Sequence, residues 1–149
     1  MMLDGIQTLK YYSTASNHPP LQAATQGSAG IDIRVTNDYE IDPNQQQDLS
    51  TGLHVEIPKG YVGVVVPRSS TGRKGFRLSN TVGVIDSDYR GEVILSCYAN
   101  SKITLKDGDR VAQMLILPVP SVYVQKVRSL DELTTTARGT AGFGSTGVR

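Results

Sequence analysis

The sequence of 149 residues predicts an all-β protein, on two observations. About ten short runs rich in Val, Ile, Leu and Tyr are separated by Gly, Pro, Asn and Asp turn signals every 8–12 residues or so, which is typical of a sandwich, a jelly roll or a small barrel. No segment shows the sustained 3.6-residue apolar period of a long amphipathic helix. We therefore expect one domain built from short strands.

Composition narrows the class of function. Lys and Arg total 15 and Asp and Glu total 14, so no bulk charge draws the chain to nucleic acid or to a membrane surface, and we expect no stable binding to either. The one cysteine, Cys97, lies in an apolar run and is expected to be a small buried hydrophobe. No apolar run approaches the roughly 20 residues needed to span a bilayer, and the first residues lack a signal-peptide order. The expected location is cytoplasmic or otherwise intracellular.

The first half of the chain alternates short strands with irregular segments. A strand is expected from Ile6 to Tyr12, followed by an irregular stretch from Ser13 to Gly27 that Asn17-His18-Pro19-Pro20 keeps from becoming helical. The next strand carries Asp32 between two isoleucines, so its carboxylate should face away from them. The stretch from Asp38 to Ser50 alternates only weakly, at Tyr39 and Ile41, before a solvated loop. Further strands are expected at Leu53 to Ile57 and at Tyr61 to Val66, the latter being the densest β-branched run and hence an inner strand.

Pro67 should end that inner strand, because proline cannot donate to a sheet ladder. The residues Arg68-Ser69-Ser70 follow it. Serine is a good N-cap, so we expect a short helical turn whose free amides, with Arg68 beside them, could bind an anion.

The stretch Asn80 to Glu92 predicts a β-hairpin with a carboxylate at its tip. The apolar run from Val82 to Ile85 delivers Asp86 to a strand end, Ser87-Asp88 turns the chain, and the return leads to a strand from Val93 to Tyr98. Taken alone, Asp86 is more often a structural turn residue than a general base.

The last strands and the tail complete the pattern. Strands are expected around Ile103 and Leu105, from Arg110 to Leu117 and from Val122 to Val127, and Ser129 to Glu132 has the spacing of a capping box. From Arg138 to Gly147 glycine is too dense for a packed element. Such an arm could close over phosphates, and the lone Phe143 suits a flat partner such as a nucleobase.

Five stretches read together resemble the homotrimeric dUTP pyrophosphatase family: Ala29 to Asp32, Pro67 to Gly75, Asn80 to Gly91, Arg110 to Gln113 and Arg138 to Gly147. Singly, the first and fourth are weak signals, whereas all five in the family's order are highly specific. Ala141 departs from the family's arm, where another glycine is usual, which bears on how freely the arm closes. The resemblance implies a jelly-roll-like distorted barrel of β-clip type with one very short helix, a domain over 1–133 and a flexible arm over 134–149.

The resemblance also implies an activity and an assembly. The activity is Mg²⁺-dependent hydrolysis of dUTP to dUMP and pyrophosphate, which keeps uracil out of DNA and supplies dUMP for dTMP synthesis. The assembly is a homotrimer whose sites are shared between subunits, with the arm of one chain closing over a site built by others.

Residue roles follow from the matching positions. Asp86 would activate the attacking water, Asp32 would hold magnesium through water, and Gln113 would contact the α/β phosphates. The remaining substrate-binding positions implied by the resemblance are Arg68, Ser69 and Ser70 for phosphate, Asn80 and Val84 for uracil, Tyr89 for deoxyribose, and Arg138, Phe143, Gly144, Ser145 and Thr146 in the arm.

Two alternatives stay open from the sequence. A dCTP deaminase resembles the same fold family and shares an Arg-Ser-Ser stretch, although its chemistry needs no Phe-Gly-Ser-Thr arm. A nucleotide-binding regulatory module on the same scaffold is the other. Ammonia release from dCTP separates the first from a pyrophosphatase, and pyrophosphate release from dUTP separates the second.

Overall fold

The computed structural model describes residues 5–142, in which short strands are joined by turns and irregular segments. One five-residue helix, α1 (Ser69–Arg73), and one short 3-10 helix at Leu130–Glu132 interrupt the strands. The strands are β1 Lys10–Ser13, β2 Ile31–Arg34, β3 Tyr39–Ile41, β4 Gln47–Leu49, β5 Leu53–Glu56, β6 Tyr61–Pro67, β7 Phe76–Leu78, β8 Gly83–Ile85, β9 Leu95–Ala99, β10 Ile103–Leu105 and β11 Arg110–Pro118.

These strands form four antiparallel sheets, none of which closes into a barrel within the described residues. The largest has the order β2-β11-β6-β8, and the others are β4-β9-β7, β1-β5 and β10-β3. The β-branched strand β6 lies between β11 and β8, so its prediction as an inner strand is confirmed. The all-β class is confirmed as well, in a jelly-roll-like arrangement of short strands.

The core is made by the alternating apolar residues of these strands. Leu53, Val55 and Ile57 are buried, as their alternation predicts, and Phe76 is the largest fully buried side chain. Cys97 is fully buried and donates to the carbonyl oxygen of Gln47 at 3.3 Å. Its role as a small buried hydrophobe is therefore confirmed, and burial raises the pKa of its thiol to about 12.

The predicted hairpin from Asn80 to Glu92 is wrong in its pairing. Strand β8 pairs with β6 in the largest sheet, whereas β9 pairs with β4 and β7 in another. The connection between β8 and β9 is too long for a tight hairpin turn, and Glu92 ties its far end to the chain at Ser50–Gly52 instead. The strand ending before Asp86 is nevertheless present, because β8 ends at Ile85.

Two predicted strands also differ at the chain ends. The first begins at Lys10 rather than Ile6, whose side chain is fully exposed. No strand covers Val122 to Val127, where Val122, Tyr123 and Val124 are 76%, 91% and 86% exposed. Alternation produces a strand only where a partner edge is available, and the described residues of this chain offer none there.

The short helix after Pro67 is confirmed, but its cap differs from the expectation. Its N-cap is Arg68, without a side-chain cap bond, and Ser69 is the first helical residue. The Thr71 hydroxyl secures the turn by contacting the carbonyl oxygens of Arg68 at 2.9 Å and Val111 at 2.7 Å. At the predicted capping box, the Glu132 carboxylate accepts a hydrogen bond from the Ser129 amide at 3.2 Å. Within residues 5–142 no helix is both long and apolar enough to cross a membrane.

Candidate active site

Asp32 lies at the centre of a charged cluster at one end of the largest sheet. Its Oδ1 is 2.9 Å from Nε of Arg68, and its Oδ2 is 3.1 Å from Nη1 of Arg110. Strand β2 pairs with β11, and β11 pairs with β6, so the ends of three strands bring the three side chains together. The carboxylate is only 15% exposed, and two charge-assisted contacts fix its orientation.

A hollow of about 510 Å³ opens beside this cluster. Asp32, Arg68, Ser69 and Gln113 all line it, so the structure brings together four of the residues expected to serve phosphate and metal. The Gln113 carboxamide lies across the sheet and donates from Nε2 to the carbonyl oxygen of Pro67 at 3.4 Å. We call this region the phosphate-side hollow.

Gly30 makes room for that carboxamide. A β-carbon at Gly30 would lie 3.0 Å from Cδ of Gln113 and closer still to its Oε1. The backbone of Gly30 has no left-handed φ, so glycine is required here for space and not for conformation. Gly30 therefore sets where the Gln113 side chain can lie.

Ser70 is the exception among the predicted phosphate residues. It lines a separate cavity, of about 570 Å³, with Lys74 and Lys102, whereas Ser69 faces the phosphate-side hollow. Successive helical residues point about 100° apart, so adjacent serines at the start of α1 face different surfaces. Arg68 and Ser69, but not Ser70, share the hollow with Asp32.

A second, smaller hollow of about 100 Å³ lies beside β8 and contains Asn80, Gly83 and Val84. Thr81, next to Asn80, has a φ of 65°, which is uncommon for a β-branched residue. The Val82 amide bonds back to the Asn80 carbonyl at 2.7 Å, so the turn before β8 is tight. We call this the β8 hollow.

Asp86 and Tyr89 follow β8 in an exposed loop. The Asp86 carboxylate forms no hydrogen bond or ion pair with another described side chain, and its backbone oxygen accepts the Tyr89 amide at 3.2 Å. The Tyr89 hydroxyl donates to the Glu92 carbonyl oxygen at 2.9 Å. Both side chains are thus available to a ligand from solvent.

The two groups of candidate residues lie at opposite ends of β6 in one chain. Gly63 pairs with Ile85, so Asp86 is level with Val62. From Val62 to Arg68 is six residues, or about 20 Å at roughly 3.3 Å per strand residue. Within a single chain, Asp86 therefore lies far from the Asp32 cluster.

The arm is described only as far as residue 142. Arg138 is exposed, and its Nε donates to the Ala141 carbonyl oxygen at 2.9 Å, a local contact. Phe143, Gly144, Ser145 and Thr146 lie outside the described residues.

Sequence reasoning missed Glu92, which anchors the loop that carries Asp86 and Tyr89. Its Oε1 accepts the Ser50 hydroxyl at 2.5 Å, the Gly52 amide at 2.8 Å and the Thr51 amide at 3.0 Å. The Ser50 hydroxyl, followed by the two amides, lowers the pKa of the Glu92 carboxyl despite partial burial. No local signal could reveal this anchor, because its donors lie some 40 residues earlier.

Comparison with known proteins defines the class. The family model described as dUTPase matches residues 17–147. A deoxyuridine 5'-triphosphate nucleotidohydrolase of Desulfitobacterium hafniense is 45% identical over 133 residues, covering 85% of this chain and 86% of that protein. One of Pseudomonas entomophila is 42% identical over 137 residues, covering 88% and 89%. The chain belongs to the dUTPase family and is an enzyme of its hydrolase class.

Solved structures agree on the fold. A Staphylococcus bacteriophage 80alpha dUTPase with dUPNHPP superimposes with a TM-score of 0.83 at 23% identity, covering 96% of this chain and 100% of that chain. A dUTPase from phage phi11 of S. aureus, described for its coordination of a structural Mg(II) ion, gives 0.75 at 21% identity, covering 84% and 99%. At these identities the likeness concerns the fold alone.

Proposed function

We propose that this protein hydrolyses dUTP to dUMP and pyrophosphate, at sites that two or more chains of a homotrimer build together. The names of the relatives at 42–45% identity support the substrate. The cellular consequence would be to keep uracil out of DNA and to supply dUMP for dTMP synthesis. The shared site is supported by the separation of about 20 Å between Asp86 and the Asp32 cluster within one chain.

That separation is the observation that carries the proposal. Water activation and phosphate binding must meet at one phosphorus atom, since reacting groups work at contact distances of about 3–3.5 Å. Strand β6 is held on both edges, by β11 and β8, so the two ends cannot fold together. The two groups would meet if a second chain placed its Asp86 loop beside the phosphate-side hollow.

The phosphate-side hollow would receive the triphosphate. Arg68, Ser69 and Gln113 line it and would contact the α and β phosphates, and Ser70 would contribute only if its hydroxyl is reached from the neighbouring cavity. The substrate carries about four negative charges, and offsetting such charge is the largest part of phosphoryl-transfer catalysis. The arm would add Arg138, Gly144, Ser145 and Thr146 at the γ-phosphate and Phe143 on the base.

The donor set suits a magnesium ion that is held largely by phosphates and water. No group of three or more His, Cys, Asp or Glu able to hold a metal occurs in residues 5–142, and Asp32 is the carboxylate that lines the phosphate-side hollow. A carboxylate has about four acceptor positions, and the two arginines use one each, so Asp32 can still accept from metal-bound water. When bound, the ion would offset phosphate charge in the transition state.

The remaining residues would orient the nucleoside and the water. Asn80 and Val84 in the β8 hollow would contact uracil, and the Tyr89 ring would lie against deoxyribose and leave no room for a 2′-hydroxyl. Asp86 would take a proton from a water molecule while the oxygen of that water attacks the α-phosphorus. The bond from that phosphorus to the α/β bridging oxygen then breaks, and pyrophosphate leaves.

Asp86→Asn tests the proposal directly. The amide cannot accept the proton, so dUTP turnover should fall by about 10²–10⁴-fold, the usual contribution of a general base, while the affinity for dUPNHPP stays within a few-fold. Asp88→Asn, which removes a carboxylate from the same turn, is the matched control and should keep wild-type turnover. Pyrophosphate release with Mg²⁺ is the measurement, and near-normal hydrolysis by Asp86→Asn would contradict the role.

A further inference from the structure

The Tyr89 ring is folded back onto its own loop. Its hydroxyl donates to the Glu92 carbonyl oxygen at 2.9 Å, across a separation of three residues. The residue is 43% exposed, so a ligand can reach it from solvent. Both the ring and its hydrogen-bond acceptor therefore belong to one short segment.

Gly91 lies beneath that ring. A β-carbon at Gly91 would be 2.5 Å from Cζ of Tyr89, 2.9 Å from its Cε2 and closer still to the hydroxyl oxygen. These distances are well inside van der Waals contact, and the ring is rigid, so any side chain at this position would push Tyr89 away. The φ of Gly91 is not in the left-handed region, so the requirement is for space alone.

Glu92 fixes the other end of the Tyr89 hydrogen bond. Its carboxylate accepts three donors from Ser50–Gly52, the longest at 3.0 Å, and the Val93 amide bonds the Leu53 carbonyl at 2.8 Å. The carbonyl that receives the Tyr89 hydroxyl is thereby tied to the body of the protein. The exposed loop ends at a rigid point.

We infer that Gly91 and Glu92 are positioning residues that hold the Tyr89 ring in place before the nucleotide binds, and that discrimination between deoxyribose and ribose depends on them. This rests on the proposed function, in which Tyr89 packs against the sugar. A ring already fixed loses little conformational freedom on binding and cannot move aside for a 2′-hydroxyl. Gly91 acts by the absence of a side chain, and Glu92 by its anchored carbonyl.

The test compares Gly91→Ala in two backgrounds. In the wild-type background, the displaced ring should raise KM for dUTP and lower the ratio of kcat/KM for dUTP to that for UTP by on the order of 10- to 100-fold, the scale of an ångström-sized displacement. The value of kcat should change much less. In a Tyr89→Ala background the same substitution should have no further effect on the ratio, because the ring it displaces is gone.

A glycine in open surroundings provides the control. Gly27 is exposed and has no atom within 4 Å of a β-carbon built on it, so Gly27→Ala should keep the wild-type selectivity. Glu92→Ala should lower the selectivity as Gly91→Ala does, and Glu92→Gln, which keeps an acceptor oxygen, should restore most of it. This pair tests the inference even if Gly91→Ala does not fold.

The outcomes separate the inference from the function on which it rests. The positioning role would be overturned if Gly91→Ala lowered the selectivity equally in the wild-type and Tyr89→Ala backgrounds. It would also be overturned if neither Gly91→Ala nor Glu92→Ala changed the selectivity. In both cases the proposed dUTP hydrolysis would stand. A wild-type protein that does not release pyrophosphate from dUTP would overturn the proposed function, and this inference with it.

Discussion

Glu92 is the side chain whose importance is least visible in the sequence. Three donors from Ser50–Gly52 converge on one of its oxygens, and they hold the start of the chain segment that leads into β9. Such a carboxylate is favoured in its ionised form, which is the reason that its pKa is lowered in the folded protein. The candidate base Asp86 is therefore carried on a loop whose far end depends on the charge of another residue.

This dependence predicts a pH effect on stability. Because the pKa of Glu92 is lower in the folded state than its ordinary value of 4.5, its contribution is complete above that value and is lost as the pH falls through the folded pKa. Glu92→Gln removes the titration but keeps an acceptor. In thermal denaturation at a series of acidic pH values, the wild-type Tm should fall more steeply below about pH 4.5 than the variant Tm does. Parallel curves would show that Glu92 does not contribute.

Gly30 leads to a second prediction at this scale. In Gly30→Ala the new methyl group would occupy the place of the Gln113 carboxamide, so kcat/KM for dUTP should fall by on the order of 10-fold or more, with little change in Tm. Steady-state kinetics with Gly27→Ala as the control measures the effect. Wild-type kinetics in Gly30→Ala would mean that the position of Gln113 is not important.

At the scale of elements, β6 organises the candidate site. Its register with β11 places Pro67 beside Ala112, next to Gln113, at one end, and its register with β8 places Asp86 at the other. Gly83 permits the close pairing of β8 with β6, since a β-carbon there would lie 3.0 Å from Cβ of Val65. The phosphate-side hollow and the loop of the candidate base Asp86 thus lie at opposite ends of this strand.

The described part of the arm contributes little to the packing of the core. In residues 134–142 the hydrogen bonds are local, such as the Gly139 amide to the Thr136 carbonyl at 3.1 Å, and the side chains are mostly exposed. Removing the chain from Gly139 onward should therefore leave Tm and oligomeric state unchanged, but lower kcat by on the order of 10²-fold or more through loss of the closing groups. Light scattering, thermal denaturation and turnover measurements test this, and an unaffected kcat would refute the closing role of the arm.

At the scale of the whole molecule, the segment after β11 leaves apolar surface uncovered. Val119, Leu130 and Leu133 are exposed in addition to the three residues at 122–124, over a stretch with no strand among the described residues. An exposed apolar stretch of this length is typical of a surface that another chain covers. This agrees with the homotrimer that we propose.

Subunit mixing tests whether sites are shared. Asp86→Asn chains keep the arm, and chains truncated at Gly139 keep Asp86, so each homotrimer should be nearly inactive. When the two are dissociated and reassembled together, some sites should receive Asp86 from one chain and the arm from another, and turnover should return. Native mass spectrometry, which distinguishes the two chain lengths by mass, shows whether mixed trimers form, with each variant reassembled alone as the control. If mixed trimers form without recovery of turnover, each site takes both parts from one chain.

The sequence by itself determined the class of fold, the inner position of β6, the burial of Cys97 and the short helix after Pro67, because period-two alternation and proline and glycine signals act over a few residues. It also placed Asp32, Arg68, Ser69 and Gln113 among the candidates that the structure brings into one hollow. These conclusions rest on local chemistry and on a motif order along the chain.

Only the tertiary structure decided which strand edges pair and which distant residues come into contact. The apparent hairpin after Asn80 is divided between two sheets, and alternation at Val122 to Val127 forms no strand, because strand pairing is decided by partners distant in sequence. The same long-range pairing brought Arg110 to Asp32, brought Glu92 to Ser50, and separated Asp86 from the cluster it would serve. Local patterns cannot specify such contacts, since their free energy comes from residues tens of positions away.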